Sequence, residues 1–501
     1  MQDKFFKKNH TGIFFLIIYS VIITLFSENI HLQHDAIVLV SEIIRIANGD
    51  IVYRDYLSAL GLIASYIAIF PIEIFKLNPI IVISIYGVLQ NVLASLIVTS
   101  FLNKMDVTRS AALLGGFITA TWFTPQVGGV YYDNIAILFG LFGFFILIDH
   151  NQRLRSNNYI YLISGSLFAL AILTKQNSGG VLFMAAIITI LLYKNFINFV
   201  IFLVGFVLLL LLYLIIIEQF GLLDQYLYHG FERIFEYNNN EERLSFERIK
   251  NLILMPYGIN LFEINKLGLG QILFFPNYIF FYFYTILFIK SIFNLKKEDV
   301  AIVYIWLSLV GITLTVGRGM FDIQYFIGFI AVITLIKFFK SKYILIISSI
   351  YLILSGCLFF IFTGGNWASN KDLSIKDRLQ SRISQIINND TEIRLLLNQI
   401  GINKKISMIG ISFKGSLFDM GDFLSTNYVN FWTPFTAEKK YLEWSSLEAK
   451  NIYNHNPDFV IIHKNYIEII SNEYPLKIVL DREYFTYINE KDFFIFKKNL
   501  N

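Results

Sequence analysis

Apolar residues in this chain come in long blocks, separated by short stretches where polar residues return. The blocks cover residues 12–27, 59–77, 79–102, 110–125, 134–149, 158–174, 180–193, 198–217, 271–290, 300–316, 323–337 and 343–363. Most have the length, about 17 to 25 residues, that a helix needs to cross a hydrocarbon core of roughly 30 Å. A crossing helix satisfies its own backbone hydrogen bonds, which an irregular segment in lipid cannot do. The pattern predicts an all-α polytopic membrane bundle of about 11–13 transmembrane helices. Gly12–Ser27 follows Lys4, Lys7 and Lys8 with no small-residue cleavage site behind it, and reads as an uncleaved first span.

After about residue 363 the pattern changes. Lys405–Ile411, Asp458–His463 and Leu476–Leu480 are short β-rich runs separated by helix-like stretches. Phe485–Ile488 and Phe493–Phe496 flank a polar stretch and predict a terminal hairpin. The chain therefore divides into a transmembrane domain, 1–363, and a small α/β domain, 364–501.

Two segments between blocks have a period of their own. In the loop 28–58, Ala36, Ile37, Val40, Ile43, Ile44 and Ala47 share one helical face, while Ser41, Arg45 and Asn48 share another. This predicts an interfacial helix along the membrane, started by Asp35 and stopped at Asn48-Gly49. The segment 218–270 is partly amphipathic through Tyr226, Phe231, Ile234 and Phe235, and carries a polar run from Asn238 to Arg243.

Composition agrees with the pattern, with 55% hydrophobic and 16% charged residues, outside the range of water-soluble domains. The net charge of +4 is small for 501 residues, so charge placement bears on membrane orientation and not on nucleic acid. Basic residues gather at the N-terminus, at Arg153, Arg155 and Lys194, from Lys290 to Lys297 and from Lys337 to Lys342. The positive-inside rule puts these in the cytoplasm and the loops 28–58, 126–133, 175–180, 218–270 and 317–322, with the whole tail, outside. Three blocks separate 28–58 from 126–133, an odd number for a return to the same side, so one of them does not span fully. Cys357 is the only cysteine, which excludes intrachain disulfides and multi-cysteine metal sites. The tail contains no glycine-rich phosphate loop or Gly-x-Ser-x-Gly.

Ionisable groups at membrane depth are costly unless paired or hydrated, which makes them functional candidates. Asp35, Arg54, Asp55, Asp133, Lys175 and Arg318 all fall on the expected outer side, near block ends. Carboxylates suit proton abstraction from a hydroxyl, and Lys or Arg suits a phosphate whose charge grows as it leaves. Each has a plainer reading. Asp35 and Asp133 suit helix caps, Arg54-Asp55 an ordinary ion pair, and Lys175 and Arg318 snorkelling to lipid headgroups. His31 and His34 beside Asp35 have the chemistry to ligate a divalent ion, but two histidines and a carboxylate in a loop are more often solvated, and no metal is assigned.

Four segments resemble the polytopic GT-C glycosyltransferases, in particular the bacterial branch related to lipopolysaccharide-modifying sugar transferases and protein O-mannosyltransferases. They are His34-Asp35 with Asn48-Gly49-Asp50-Ile51-Val52-Tyr53-Arg54-Asp55 and Leu60-Gly61, then Tyr132 to Ala136, then Leu173 to Gly179, and last Gly317-Arg318 through Gln324-Tyr325. Relatives often have histidine where Gln324 stands. The resemblance implies a bundle of about a dozen spans with a small external domain, and a polyprenyl-phosphate sugar donor. It implies Asp35 as the base that activates the acceptor hydroxyl. Asp55 and Asp133 would shape the sugar and acceptor site, and Arg54, Lys175 and Arg318 would contact the lipid-linked phosphate. Transfer would invert the anomeric carbon in a single displacement, onto a cell-envelope glycan, a lipid or a protein. An O-antigen polymerase or ligase, which uses the same carriers, and a polysaccharide transporter or flippase are the alternatives. Abundant Ile, Asn, Lys and Phe suggest an AT-rich bacterial genome, hence the inner membrane, with the site and tail extracytoplasmic.

Overall fold

A computed structural model of the chain describes residues 10–28, 34–56, 58, 62–105, 107–123, 132–152, 159–192, 196–232, 269–293, 299–316, 321–363, 392–410, 423, 426–430, 438–469, 472–489 and 493–499. The apolar blocks are helices: α1 (His10–Glu28), α2 (His34–Ala47), α3 (Ile63–Phe75), α4 (Pro79–Lys104), α5 (Arg109–Trp122), α6 (Tyr132–Gln152), α7 (Tyr159–Thr174), α8 (Gln176–Leu192) and α9 (Phe196–Gln219). After a short helix α10 (Leu223–Leu227) and a π-helical turn (Tyr228–Glu232) come α11 (Leu269–Phe293) and α12 (Val300–Val316). A 3₁₀ turn (Phe321–Tyr325) precedes α13 (Ile327–Phe338) and α14 (Lys342–Thr363). Among the described residues, four helical segments, Ile81–Lys104, Phe196–Gln219, Ile272–Phe293 and Lys342–Phe359, are long and apolar enough to cross a membrane. On α9, Val204, Leu208, Leu211 and Ile215 remain exposed, an apolar stripe that lipid tolerates and water does not.

Neighbouring helices meet through small residues, as bundles in lipid require. A Cβ on Gly165 of α7 would lie 2.0 Å from the Phe202 carbonyl oxygen of α9, and one on Gly205 would lie 2.1 Å from that of Leu162. The α7–α9 backbones thus touch at two points where no side chain fits.

The three blocks between the loops 28–58 and 126–133 correspond to α3, α4 and α5. Leu62, just ahead of α3, packs with Val52, Tyr56 and Tyr226. Val82 and Ile83, at the start of α4, share a core with Val40 and Ile43 of α2 and with Ile406 and Phe459 of the C-terminal domain. Both ends of α3 therefore lie at the end of the bundle that carries that domain. Its 13 residues span only about 20 Å at 1.5 Å per residue, with Pro71 inside. α3 is not among the helices long enough to cross a membrane.

The C-terminal domain contains α15 (Glu392–Ile400), β1 (Ile406–Ile409), β2 (Tyr428–Asn430), α16 (Glu438–His455), β3 (Phe459–His463), α17 (Lys464–Ile469), α18 (Pro475–Glu483), β4 (Tyr484–Asn489) and β5 (Phe493–Lys498). The sheet order is β2-β1-β3-β5-β4. β1 runs parallel to β2 and β3, whereas β5 is antiparallel to β3 and β4. The expected hairpin is present as β4 and β5. Leu476–Leu480 is not a strand: it lies in α18, where Pro475 occupies the first turn and Leu476 and Leu480, one helical turn apart, are both buried.

A second expectation changes at α2. The helix stops as read, with Gly49 at φ +98°, but Ser41 and Arg45 do not face solvent. Val38 to Arg45 are all buried: Arg45 lies against Tyr428 of the C-terminal domain, and the apolar residues share one core with α3, the start of α4 and that domain.

Candidate functional site

The loop after α2 folds back on itself between Ile51 and Tyr56. Asp55 N donates to Ile51 O at 2.9 Å and Tyr53 N to Tyr56 O at 2.7 Å, while Ile51 N donates to the Asp55 carboxylate at 2.8 Å. Tyr53 takes the left-handed conformation, φ +67°, which is uncommon for an aromatic residue. Asp55 thus closes its own turn. The same carboxylate pairs with Arg54 at 2.6 Å, and the Arg54 side chain is 54% exposed. Burial pushes the Asp55 carboxyl up, but the hydrogen bonds from Arg54 and Ile51 outweigh it and hold the group below its ordinary value. The same bond to Asp55 raises the Arg54 guanidinium. The ordinary ion-pair reading of Arg54-Asp55 is therefore correct as structure, and the exposed guanidinium is presented at the surface.

Asp133 and Lys175 come together. Asp133 lies in the first turn of α6, where the helix dipole favours a carboxylate, and Lys175 is the single non-helical residue between α7 and α8. Lys175 Nζ lies 2.5 Å from Asp133 Oδ1, with the two side chains 13% and 4% exposed. Ser178 Oγ donates to the same carboxylate oxygen at 3.1 Å, and the ammonium sits 4.4 Å from the centre of the Tyr132 ring. Lys175 does not snorkel outward. The helix already begins at Tyr132, so Asp133 is a member of its first turn and not a cap ahead of Asn134. The sharp α7–α8 corner depends on Gly179, whose Cβ would stand 2.3 Å from the Ala171 carbonyl carbon. Any side chain there would drive α8, and Lys175 with it, away from α7.

The two pairs belong to one end of the bundle and are bridged through His229, which the sequence reading did not single out. His229, buried in the π-helical turn, stacks on the Tyr53 ring at 5.7 Å with planes 9° apart. Gly230, its neighbour, faces Gln176 Nε2, the residue after Lys175. Tyr53 and Tyr213 flank Tyr226 edge to face. A π-turn within a helical stretch often marks a functional position, and its only trace in sequence is one histidine in an aromatic run. Glu42 is the second omission. It is buried on α2 and accepts a hydrogen bond from Ser65 Oγ at 3.1 Å. A lone acid amid apolar residues was its signal.

The remaining candidates are less defined. Asp35 lies in the first turn of α2 by backbone, but its side chain and that of His34 fall outside the described residues, as do His31 and Arg318. Gln324, on the 3₁₀ turn, is buried. Its Oε1 finds no partner among the described residues.

No family model matches the chain, and no curated protein is similar enough to count as a relative. Function has to be argued from this geometry.

Proposed function

We propose that this protein is a membrane glycosyltransferase that moves a sugar from a polyprenyl-phosphate-linked donor to an extracytoplasmic acceptor, with inversion. The acceptor is a cell-envelope glycan, a lipid or a protein. In this reading the chain is a GT-C-like bundle in a bacterial inner membrane, with its site and C-terminal domain outside.

The observation that carries the proposal is the buried Asp133–Lys175 pair, at the same end of the bundle as the Arg54–Asp55 turn and the start of α2. An acid and a base held at a helix corner, near the surface of an apolar bundle, suit a substrate whose lipid stays in the bilayer while its charged head reaches the loops. Lys175 and the exposed Arg54 supply positive charge for a phosphate leaving group, and Arg318 would add a third. Asp133 orients Lys175, and Asp35 is assigned the proton from the acceptor hydroxyl. The oxygen of that hydroxyl attacks the anomeric carbon as the bond to phosphate breaks, so no covalent intermediate forms. Most of the rate enhancement then comes from positioning and preorganised charge.

The test is transfer from labelled polyprenyl-phosphate sugars in membranes carrying the wild type or Asp35→Asn, which keeps shape and capping ability but loses basicity. Transfer by the wild type that disappears in a normally folded Asp35→Asn variant supports the reading. Unchanged transfer reduces Asp35 to a cap, and no transfer with any donor moves the reading toward a polymerase or transporter.

A further inference from the structure

The C-terminal domain holds the turn that carries Arg54 and Asp55. Arg45, on the polar side of α2, is gripped from two directions. Its guanidinium lies 4.2 Å from the Tyr56 ring centre, in the loop, and 4.3 Å from that of Tyr428, on β2 of the C-terminal domain. Its Nε donates to Asp50 at 2.8 Å and Nη2 to the Asp55 carbonyl oxygen at 3.2 Å. Burial opposes the charge on Arg45, but Tyr428 and Asp50 more than offset it and raise its pKa.

The same Asp55 carbonyl accepts a second hydrogen bond, at 2.9 Å, from Asn451 Nδ2 on α16. Asn451 also bonds the Tyr428 hydroxyl, which donates to the buried Glu448 at 3.2 Å. A network thus runs from Glu448 through Tyr428 and Asn451 to the backbone of the Arg54-Asp55 turn. Two of its links come from residues about 400 positions away in sequence. Flat guanidinium stacking and convergent donors on one oxygen fix orientation more tightly than a point charge does.

We propose that Arg45, Tyr428 and Asn451 are positioning residues, and that the C-terminal domain acts as a clamp that sets the angle at which the 50–56 turn presents Arg54 and Asp55. The consequence for turnover rests on the transferase reading, whereas the clamp itself does not.

The experiment separates the two. In the full-length chain, in nanodiscs, Cys357→Ser removes the native thiol, and Val52→Cys places a reporter at a side chain that is 1% exposed. Labelling by a water-soluble maleimide should be slow in this background. It should rise at least tenfold when Tyr428→Ala or Asn451→Ala is added, while Tyr428→Phe, which keeps the ring, should give a smaller rise. Amide exchange in β1 and β3 reports whether the sheet stays folded. If Tyr428→Ala melts it, Arg45→Gln, outside the domain, opens the same turn without touching the sheet. A labelling rate unchanged in Asn451→Ala and Arg45→Gln overturns the clamp. Where transfer is measurable, the clamp variants should lower kcat more than they raise KM, because a misaimed group still binds. Faster labelling in a protein that transfers no sugar leaves the clamp standing and removes the transferase.

Discussion

Cutting the Asp133–Lys175 pair separates its structural work from its chemical work. Both side chains are nearly withdrawn from solvent, at 4% and 13% exposure, and their charges are 2.5 Å apart. Replacing one partner leaves the other charged and buried, at a cost of about 3–5 kcal/mol. Ser178 still donates to Asp133 in Lys175→Met, which returns about 1 kcal/mol. The Tyr132 ring still faces Lys175 in Asp133→Asn, with a similar return. Each single variant should therefore lose about 3 kcal/mol. The double variant Asp133→Asn/Lys175→Met leaves neither charge of the pair and should also lose about 3 kcal/mol, a coupling of about 3 kcal/mol. Reversible unfolding in mixed micelles, read by tryptophan fluorescence, gives all four corners of the cycle. A double variant near about 6 kcal/mol, the sum of the singles, would mean that the charges do not need each other, and the argument fails. The double variant is also the informative one for function. It is no less stable than either single variant and leaves no stranded charge at the corner, so its loss of transfer must come from missing chemistry, whereas wild-type transfer would make the pair purely structural.

Two further outcomes follow from the loop and from α3. The folded Asp55 carboxyl sits below its ordinary value of 3.8, so its contribution is complete above that value and fades as pH falls through the lower folded one. Protection of the Ile51 amide, its exchange rate relative to the intrinsic rate at each pH, should hold from about pH 7 to about pH 5 and fall below about pH 4, with Asp55→Asn unprotected throughout; an Asp55→Asn amide as protected as wild type would refute the turn's dependence on the carboxylate. With both ends of α3 packed at the end of the bundle that carries the C-terminal domain, Lys76→Cys and Tyr453→Cys in the Cys357→Ser background should label with an impermeant maleimide from the same side of the membrane, and Lys290→Cys from the other. Labelling of Lys76→Cys only from the Lys290 side would make α3 a full crossing.

Helix positions were readable along the chain because a hydrocarbon surround leaves only self-satisfied helices, so length and apolarity nearly decide the element. The same logic found the stop at Asn48-Gly49 and the β4–β5 hairpin, where local turn chemistry sufficed. It failed at Leu476–Leu480: a short apolar run fits strand or helix, and Pro475 with the buried i, i+4 leucines settles it in favour of the helix. The candidate list was legible residue by residue, since charges next to apolar blocks are rare. Which charges meet was not. Asp133 and Lys175 are 42 positions apart, and only the α7–α8 corner, tightened at Gly179, turns Lys175 inward. The fate of Arg45 lay further still from its own segment. An amphipathic helix advertises a polar face, but whether water, lipid or another domain covers that face depends on what the rest of the chain brings to it. Here β2 and α16 bring Tyr428 and Asn451, from the far end of the sequence.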